Sequence, residues 1–254
     1  MKSHISCRAL VANTLFLLAT AVPAMAAPVK NIVLVHGAWV NGSGWKPVYE
    51  ILVKHGYHVS IAEHPLTSFS DDVTAVKRVL AMQDGPIILV GHSYGGAIIT
   101  DVGNDPNVVG LVYIAAHALD EGETEVANGK RFPNSTKGVK KTTDGFLYLD
   151  PAVYTADFAA DLPKEQAEFE AQAQELTSAS VFATPAGVPA WKTKPSWYAV
   201  AKSDRIINPE LERMYAKRAH SHTIEVDGAS HSVYESHPKE VAALIEQAAQ
   251  HAQD

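Results

Sequence analysis

The sequence predicts an α/β protein: a mostly parallel sheet of about six strands with flanking helices, interrupted by one long helical insertion. Short β-branched apolar runs alternate with helical segments at both ends of the chain, and such alternation favours a parallel sheet with right-handed crossovers. The 254 residues are 46% hydrophobic and 19% charged. This composition is typical of a globular domain and excludes a disordered or collagen-like chain.

The first half of the alternation has four expected strands and two expected helices. Continuous apolar runs suit strands that are buried on both faces of a sheet. Valines at helical spacing, with acidic residues in the first turn, predict the first helix. The strands are expected at residues 31–35, 57–62, 86–90 and 108–116, and the helices at 70–83 and 94–104.

The alternation is interrupted between residues 117 and about 195. We interpret this span as a mostly helical cap over one end of the sheet, with a helix at 164–176 and a helix start at Asp150-Pro151. Alternation then resumes, and the whole of 27–254 is expected to form one domain. The later strands are expected at 197–201 and 223–226, and the later helices at 209–219 and 238–250.

Residues 1–26 have the pattern of a secretory signal peptide. A positive start at Lys2 and Arg8 precedes a short apolar stretch, and Ala24-Met25-Ala26 fits a cleavage site. The apolar stretch is too short for a membrane anchor. We therefore expect export to the periplasm or the medium, and loss of the single cysteine, Cys7, with the signal.

Charge and cysteine content exclude several classes of function. The chain has 21 Lys and Arg against 28 Asp and Glu, a net charge of −7. A net acidic chain without a basic cluster argues against a nucleic-acid partner. A mature chain without cysteine excludes cysteine nucleophiles and thiolate metal sites.

The strongest catalytic signal is Gly91-His92-Ser93-Tyr94-Gly95, directly after an expected buried strand and before an expected helix. G-x-S-x-G in that context predicts a nucleophile elbow. Side chains two residues before and after the serine would collide with the neighbouring strand and helix, so glycine is required there. Ser93 is therefore the expected nucleophile.

The serine needs a base, and position selects His231 among the histidines. His231 follows the last strand, so it lies at the same edge of the sheet as Ser93. The elbow is expected to turn His92 away, and His220 and His222 are interpreted as surface residues. His117, at the end of a strand, is either a substrate contact or a packing residue.

The base needs a carboxylate that fixes its tautomer. Asp204, in the turn after the next-to-last strand, gives the chain order Ser, Asp, His that this architecture requires. Asp204 could also serve as a turn cap. Asp120 and Glu121 are reserve candidates, whereas Asp227 is too close to His231 in sequence to reach around it.

An oxyanion hole is expected from the backbone N–H groups of Tyr94 and Ala38, since the loop after the first strand faces the elbow. Trp39, in the same loop, is expected to wall the acyl pocket. Trp45 is either a second wall or a structural residue.

Four segments together resemble the α/β-hydrolase superfamily: HGAW at 36–39, GHSYGG at 91–96, SD at 203–204 and GASH at 228–231. The resemblance covers about 30–120 and 196–250, and the insertion takes the position of the family's cap. It implies a serine esterase, a lipase or a related acyl hydrolase, without metal or organic cofactor. HGAW also resembles plant methylesterases and hydroxynitrile lyases, but Ser232 stands where the lyases have lysine.

We therefore expect a secreted serine hydrolase that acts on a small-molecule ester or related acyl bond. Lactonase, perhydrolase, amidase and C–C hydrolase chemistry use the same three residues and remain open, because specificity depends on the cap. A ligand-binding protein that keeps the fold with little turnover is the alternative from another class. Substrate identity and oligomeric state do not follow from the sequence.

Overall fold

The computed structural model describes Met1 and residues 29–253. Apart from Met1, the predicted signal peptide and Cys7 lie outside the described residues. The main sheet has six strands, in the order β2-β1-β3-β4-β8-β9, and every neighbouring pair is parallel. In chain order the strands are β1 (Asn31–Val35), β2 (His58–Ala62), β3 (Ile87–His92), β4 (Val108–Ile114), β5 (Val139–Lys141), β6 (Phe146–Leu149), β7 (Thr177–Ser178), β8 (Ser196–Ala201) and β9 (His222–Val226).

The sheet is the centre of three layers, as the prediction of an α/β fold requires. Two apolar clusters cover its faces, one with helices α1 and α9 and the other with α2, α3 and α7. All five residues of β1 and all six of β3 are buried, in agreement with the expected double-sided burial. In chain order the helices are α1 (Lys46–Lys54), α2 (Phe69–Leu80), α3 (Tyr94–Val102), α4 (Glu125–Arg131), α5 (Pro151–Asp157), α6 (Lys164–Gln172), α7 (Pro209–Arg218), α8 (Val233–Ser236) and α9 (Pro238–His251).

The insertion contains more than the predicted helices. Helices α4, α5 and α6 are accompanied by a three-stranded antiparallel sheet, β5-β6-β7, which the prediction of a mostly helical cap did not include. The predicted start of α5 is confirmed: Asp150 accepts a hydrogen bond from the Ala152 N–H, and proline occupies the first turn. The helix expected at 164–176 ends at Gln172, since the chain then turns into β7.

The insertion is tied to the loops at the carboxyl edge of the main sheet. Trp39 and Glu175 form a β-bridge, and the Ser178 N–H donates to the Leu66 carbonyl at 2.8 Å. The cap therefore lies over the strand ends where the predicted site residues are found. Across residues 29–253, no helix combines the length and apolar character that a membrane span requires.

Candidate active site

Ser93 occupies the sharp turn between β3 and α3. Its backbone has φ 53° and ψ −123°, a conformation that non-glycine residues rarely adopt and that stores strain. A Cβ atom at Gly91 would lie 2.6 Å from the Gly95 carbonyl oxygen, and one at Gly95 would lie 2.6 Å from the His36 carbonyl oxygen. Both glycines are thus required by close backbone approach, as the motif predicts.

His231 and Asp204, which are distant in sequence, form a buried pair. His231 lies between β9 and α8, and its Nδ1 atom is 2.5 Å from Asp204 Oδ2. The other carboxylate oxygen accepts the N–H groups of Ile206 and Ile207, at 2.7 and 2.9 Å. Because a carboxylate only accepts hydrogen bonds, His231 carries its proton on Nδ1, and Nε2 is left as a proton acceptor.

The His231 ring lies beside the elbow. His92, the residue before Ser93, donates from Nε2 to the His231 carbonyl at 2.9 Å, and the two rings are 4.7 Å apart at their centroids. His231 Nε2 is buried and has no hydrogen-bond partner among the described residues, so the Ser93 hydroxyl does not donate to it in this conformation. Hydrogen bonds of this type often form only when substrate is bound.

A second acidic residue, Glu212 of α7, supports the Asp204 loop and was not predicted. It is fully buried, and its Oε2 atom accepts the Ala201 N–H at 3.1 Å. Burial, together with the neighbouring Asp204 carboxylate, raises the pKa of Glu212 well above its usual range. These surroundings favour the protonated, uncharged form of the Glu212 side chain. The only indication of buried Glu212 in the sequence is that this acidic residue stands next to Leu211 on the apolar face of α7.

The two predicted oxyanion donors lie on the segments that meet at the elbow. Tyr94 is the first residue of α3, so its N–H has no acceptor within the helix. Ala38 follows β1, and a Cβ atom at the preceding Gly37 would lie 2.7 Å from Ser93 Cβ. The Tyr94 hydroxyl donates to buried Asp72 at 2.7 Å, which anchors the start of α3.

A cavity of about 440 Å³ opens at Ser93, between the strand ends and the cap. Ala38, Trp39 and His117, the candidates for the oxyanion loop, the pocket wall and a substrate contact, are among its lining residues. Trp45 does not line this cavity: it is fully buried and packs on Tyr234 with ring centroids 4.7 Å apart. The remaining lining residues are mostly apolar and include Val126, Phe132, Pro133, Val139, Leu147, Ala179, Phe182, Ile206, Ile207 and Leu211.

His117 meets a cap residue that the sequence analysis did not single out. Its Nε2 atom lies 3.2 Å from Oε2 of Glu125, and both side chains are buried. Burial, with a smaller effect of the nearby His231, lowers the pKa of His117 to about 3. Burial raises the pKa of Glu125 to about 8. Near neutral pH the pair therefore has no net charge.

The other acidic and histidine side chains considered from the sequence lie either in ion pairs or on the surface. Asp120 is 2.5 Å from the Lys192 ammonium, and Asp227 is exposed and 2.5 Å from Lys202. Glu121, His220 and His222 are exposed. Within residues 29–253 there is no group of three or more His, Cys, Asp or Glu side chains that could hold a metal ion.

Comparison with known proteins agrees with this architecture. A carbendazim hydrolyzing esterase from Nocardioides sp. (strain SG-4G) is 33% identical over 113 residues, which are 38% of this chain and 46% of that esterase. The matched part is thus less than half of the esterase. A pyrethroid hydrolase from Sphingobium wenxiniae is 28% identical over 246 residues, covering 85% of this chain and 86% of that protein.

A solved structure shows the same fold over nearly the whole domain. The crystal structure of a pyrethroid hydrolase from Sphingobium faniae JZ-2 superposes with a TM-score of 0.76 at 25% identity, covering 88% of this chain and 98% of that one. The alpha/beta hydrolase family, as a sequence family, matches residues 32–244. The chain is therefore a member of the alpha/beta hydrolase family and, like these relatives, a hydrolase.

Proposed function

We propose that this hydrolase cleaves carboxylic esters of small molecules through a covalent acyl-enzyme formed on Ser93. The observation that carries the proposal is the state of His231. Its Nδ1 atom is held by buried Asp204, while its Nε2 atom is an unpartnered acceptor beside the strained serine turn. This is the arrangement that a general base needs before it takes a proton from a serine.

In the proposed reaction the Ser93 oxygen attacks the ester carbonyl carbon, and its proton moves to His231 Nε2. The carbonyl oxygen becomes an oxyanion that accepts hydrogen bonds from the N–H groups of Ala38 and Tyr94. His231 then gives the proton to the departing alcohol as the ester C–O bond breaks. Water, deprotonated by His231, then attacks the acyl carbon; the bond from this carbon to the Ser93 oxygen breaks, His231 returns the proton to Ser93, and the carboxylic acid leaves.

The relatives support an ester as substrate. One is an esterase that hydrolyses carbendazim and another is a pyrethroid hydrolase, so both act on small organic molecules. The apolar cavity at Ser93 is of a size suited to such molecules. A ligand-binding protein that keeps the fold with little turnover is the alternative from another class; the presence of Ser93, His231 and Asp204 favours the enzyme.

The test is turnover of chromogenic short-chain esters by the purified mature chain. Ser93→Ala is expected to lower kcat by on the order of 10⁶, as for other serine hydrolases that lose the nucleophile. Ser135→Ala, at an exposed serine, is the matched control and should leave turnover unchanged. Substantial ester hydrolysis by Ser93→Ala would refute the assignment.

We also propose that the chain is exported after removal of residues 1–26. The charged start, apolar stretch and Ala24-Met25-Ala26 pattern support this proposal. N-terminal sequencing of protein recovered from a bacterial host should find Ala27 as the first residue. Recovery of only the full-length chain from the cytoplasm of a host with an active export system would contradict it.

A further inference from the structure

The cavity at Ser93 is lined by one pair of buried ionisable side chains. His117 and Glu125 are nearly fully buried, at 9% and 7% exposure, and Trp39 adds a buried indole N–H that has no partner among the described residues. Lys130 also lines the cavity, but its side chain is exposed. Ligand cavities of this kind are mostly apolar and orient their ligands through a few placed polar groups.

We assign the proton positions in this pair along a chain of hydrogen bonds that runs from Asn128 through Tyr215 and His117 to Glu125. Asn128 donates to the Tyr215 hydroxyl at 2.9 Å, and that hydroxyl lies 3.4 Å from His117 Nδ1, where its own proton can be donated to the ring. The neutral His117 ring then carries its proton on Nε2 and donates it to Glu125 Oε2 at 3.2 Å.

This chain of hydrogen bonds ends at a Glu125 oxygen that has no partner among the described residues. Glu125 Oε1 is buried and has no hydrogen-bond partner among the described residues. With Oε2 assigned as the acceptor from His117, the proton of the neutral carboxyl group is assigned to Oε1. A buried donor left unpaired is costly, and such a group in a ligand cavity is satisfied when a ligand supplies the acceptor.

We propose that Glu125, held by His117, is the specificity-determining hydrogen-bond donor of the substrate cavity. The preferred substrates are then esters that carry a neutral oxygen acceptor, such as an ether or a carbonyl, within an otherwise apolar acyl or alcohol part. This inference rests on the proposed esterase function and adds the substrate class. Glu125 does not enter the bond-breaking steps; it selects among esters.

The test compares esters that differ by one oxygen atom. p-Nitrophenyl hexanoate is paired with its isosteres, the 4-methoxybutanoate and the 3-ethoxypropanoate, in which an ether oxygen replaces one methylene. Hexyl acetate and its ether isosteres probe the alcohol side in the same way. The readout is the ratio of kcat/KM for each ether ester to kcat/KM for its alkyl partner.

Replacement of Glu125 should change that ratio in a graded way. In Glu125→Leu the ratio for the best ether ester is expected to fall by about fivefold, the effect of one net hydrogen bond. Glu125→Gln keeps an N–H donor and should retain part of the preference. Glu121→Gln, at an exposed glutamate on the same segment, is the matched control and should keep the wild-type ratio.

The wild-type protein provides a second measurement that does not depend on folding of the variants. A carboxylate cannot donate, so the ratio for the best ether ester should fall as pH rises through 8. The other ionisable groups around Glu125 are His117, Tyr94, Tyr215, His231, Lys130 and the Glu123–Arg218 ion pair. Effects of pH on the serine chemistry are common to both esters and cancel in the ratio.

The outcomes separate the two proposals. Hydrolysis of the esters with ratios that neither Glu125→Leu nor pH changes would overturn the role of Glu125 and leave the esterase function standing. Failure of the wild-type protein to hydrolyse any of the esters would contradict the proposed function itself and, with it, this substrate class.

Discussion

Replacement of Asp204 by asparagine should abolish most activity while leaving the loop intact. Oδ1 of Asp204 accepts two backbone N–H groups, from Ile206 and Ile207, and Oδ2 accepts from His231 Nδ1. In Asp204→Asn the amide oxygen must stay with the two N–H donors, because an NH₂ group cannot accept them. The amide nitrogen then faces His231, and an NH₂ group only donates.

As a consequence, the Asp204→Asn variant holds His231 in the tautomer that cannot act as a base. His231 Nδ1 must become the acceptor, so the ring proton moves to Nε2, which can no longer take the proton of Ser93. The same substitution in a serine protease lowers kcat by about 10⁴ through this change of tautomer, and a similar loss is expected here. Because both loop hydrogen bonds remain, the midpoint of thermal unfolding should change little.

The assay is kcat for a chromogenic ester, with circular dichroism to confirm that the variant is folded. Asp227→Asn is the matched control, since Asp227 is exposed and paired with Lys202, and it should retain wild-type activity. Asp204→Asn that keeps more than a tenth of the wild-type kcat would refute the reasoning. So would a comparable loss in Asp120→Asn, because the carboxylate would then come from the reserve position.

Three further predictions concern stability and follow from individual contacts. Gly95→Ala should lower stability to urea by at least about 1–3 kcal/mol through overpacking, since its Cβ would lie 2.6 Å from a backbone oxygen, whereas Gly129→Ala, with nothing within 4 Å, should not. Tyr94→Phe should cost about 1–3 kcal/mol in the same assay, because it leaves buried Asp72 with an unsatisfied oxygen. Burial raises the pKa of Glu125 from 4.5 to about 8, so the contribution of Glu125 to the free energy of unfolding falls as pH rises between those values. The stability of Glu125→Gln relative to wild type should therefore increase from pH 6 to pH 9, by up to about 1.4 kcal/mol per pH unit below pH 8. A stability difference that does not change with pH would contradict that pKa.

The parts of the site that could be predicted are those dictated by backbone geometry. In a parallel sheet the carboxyl ends of the strands share one edge, so Ser93 after β3, Asp204 after β8 and the loop after β9 had to converge. The two glycines around Ser93 are required by contacts of 2.6 Å, so the elbow motif has a steric cause that is visible in sequence.

The parts that could not be predicted depend on contacts between distant segments. Glu125 and Glu212 are acidic residues in amphipathic helices, and only the fold shows that they are buried beside His117 and Asp204. The small cap sheet has strands of two to four residues, too short for a periodic pattern.

Helix α1 was also not predicted, although its sequence carries a signal. Pro47 lies in its first turn, and Val48 and Leu52, four residues apart, are its buried face. A nine-residue segment spans only about two and a half helical turns, which is too short to show a clear helical period next to the long helices. Its burial against α9 is set by tertiary packing.

The most direct measurement is the site and stoichiometry of covalent labelling by a fluorophosphonate, read by intact mass and peptide mapping. The account predicts one adduct per folded chain, located on Ser93, absent in Ser93→Ala and formed far more slowly in His231→Ala. A folded wild-type protein that takes up no label, or takes it up at another residue, would contradict the claim that this serine is an activated nucleophile.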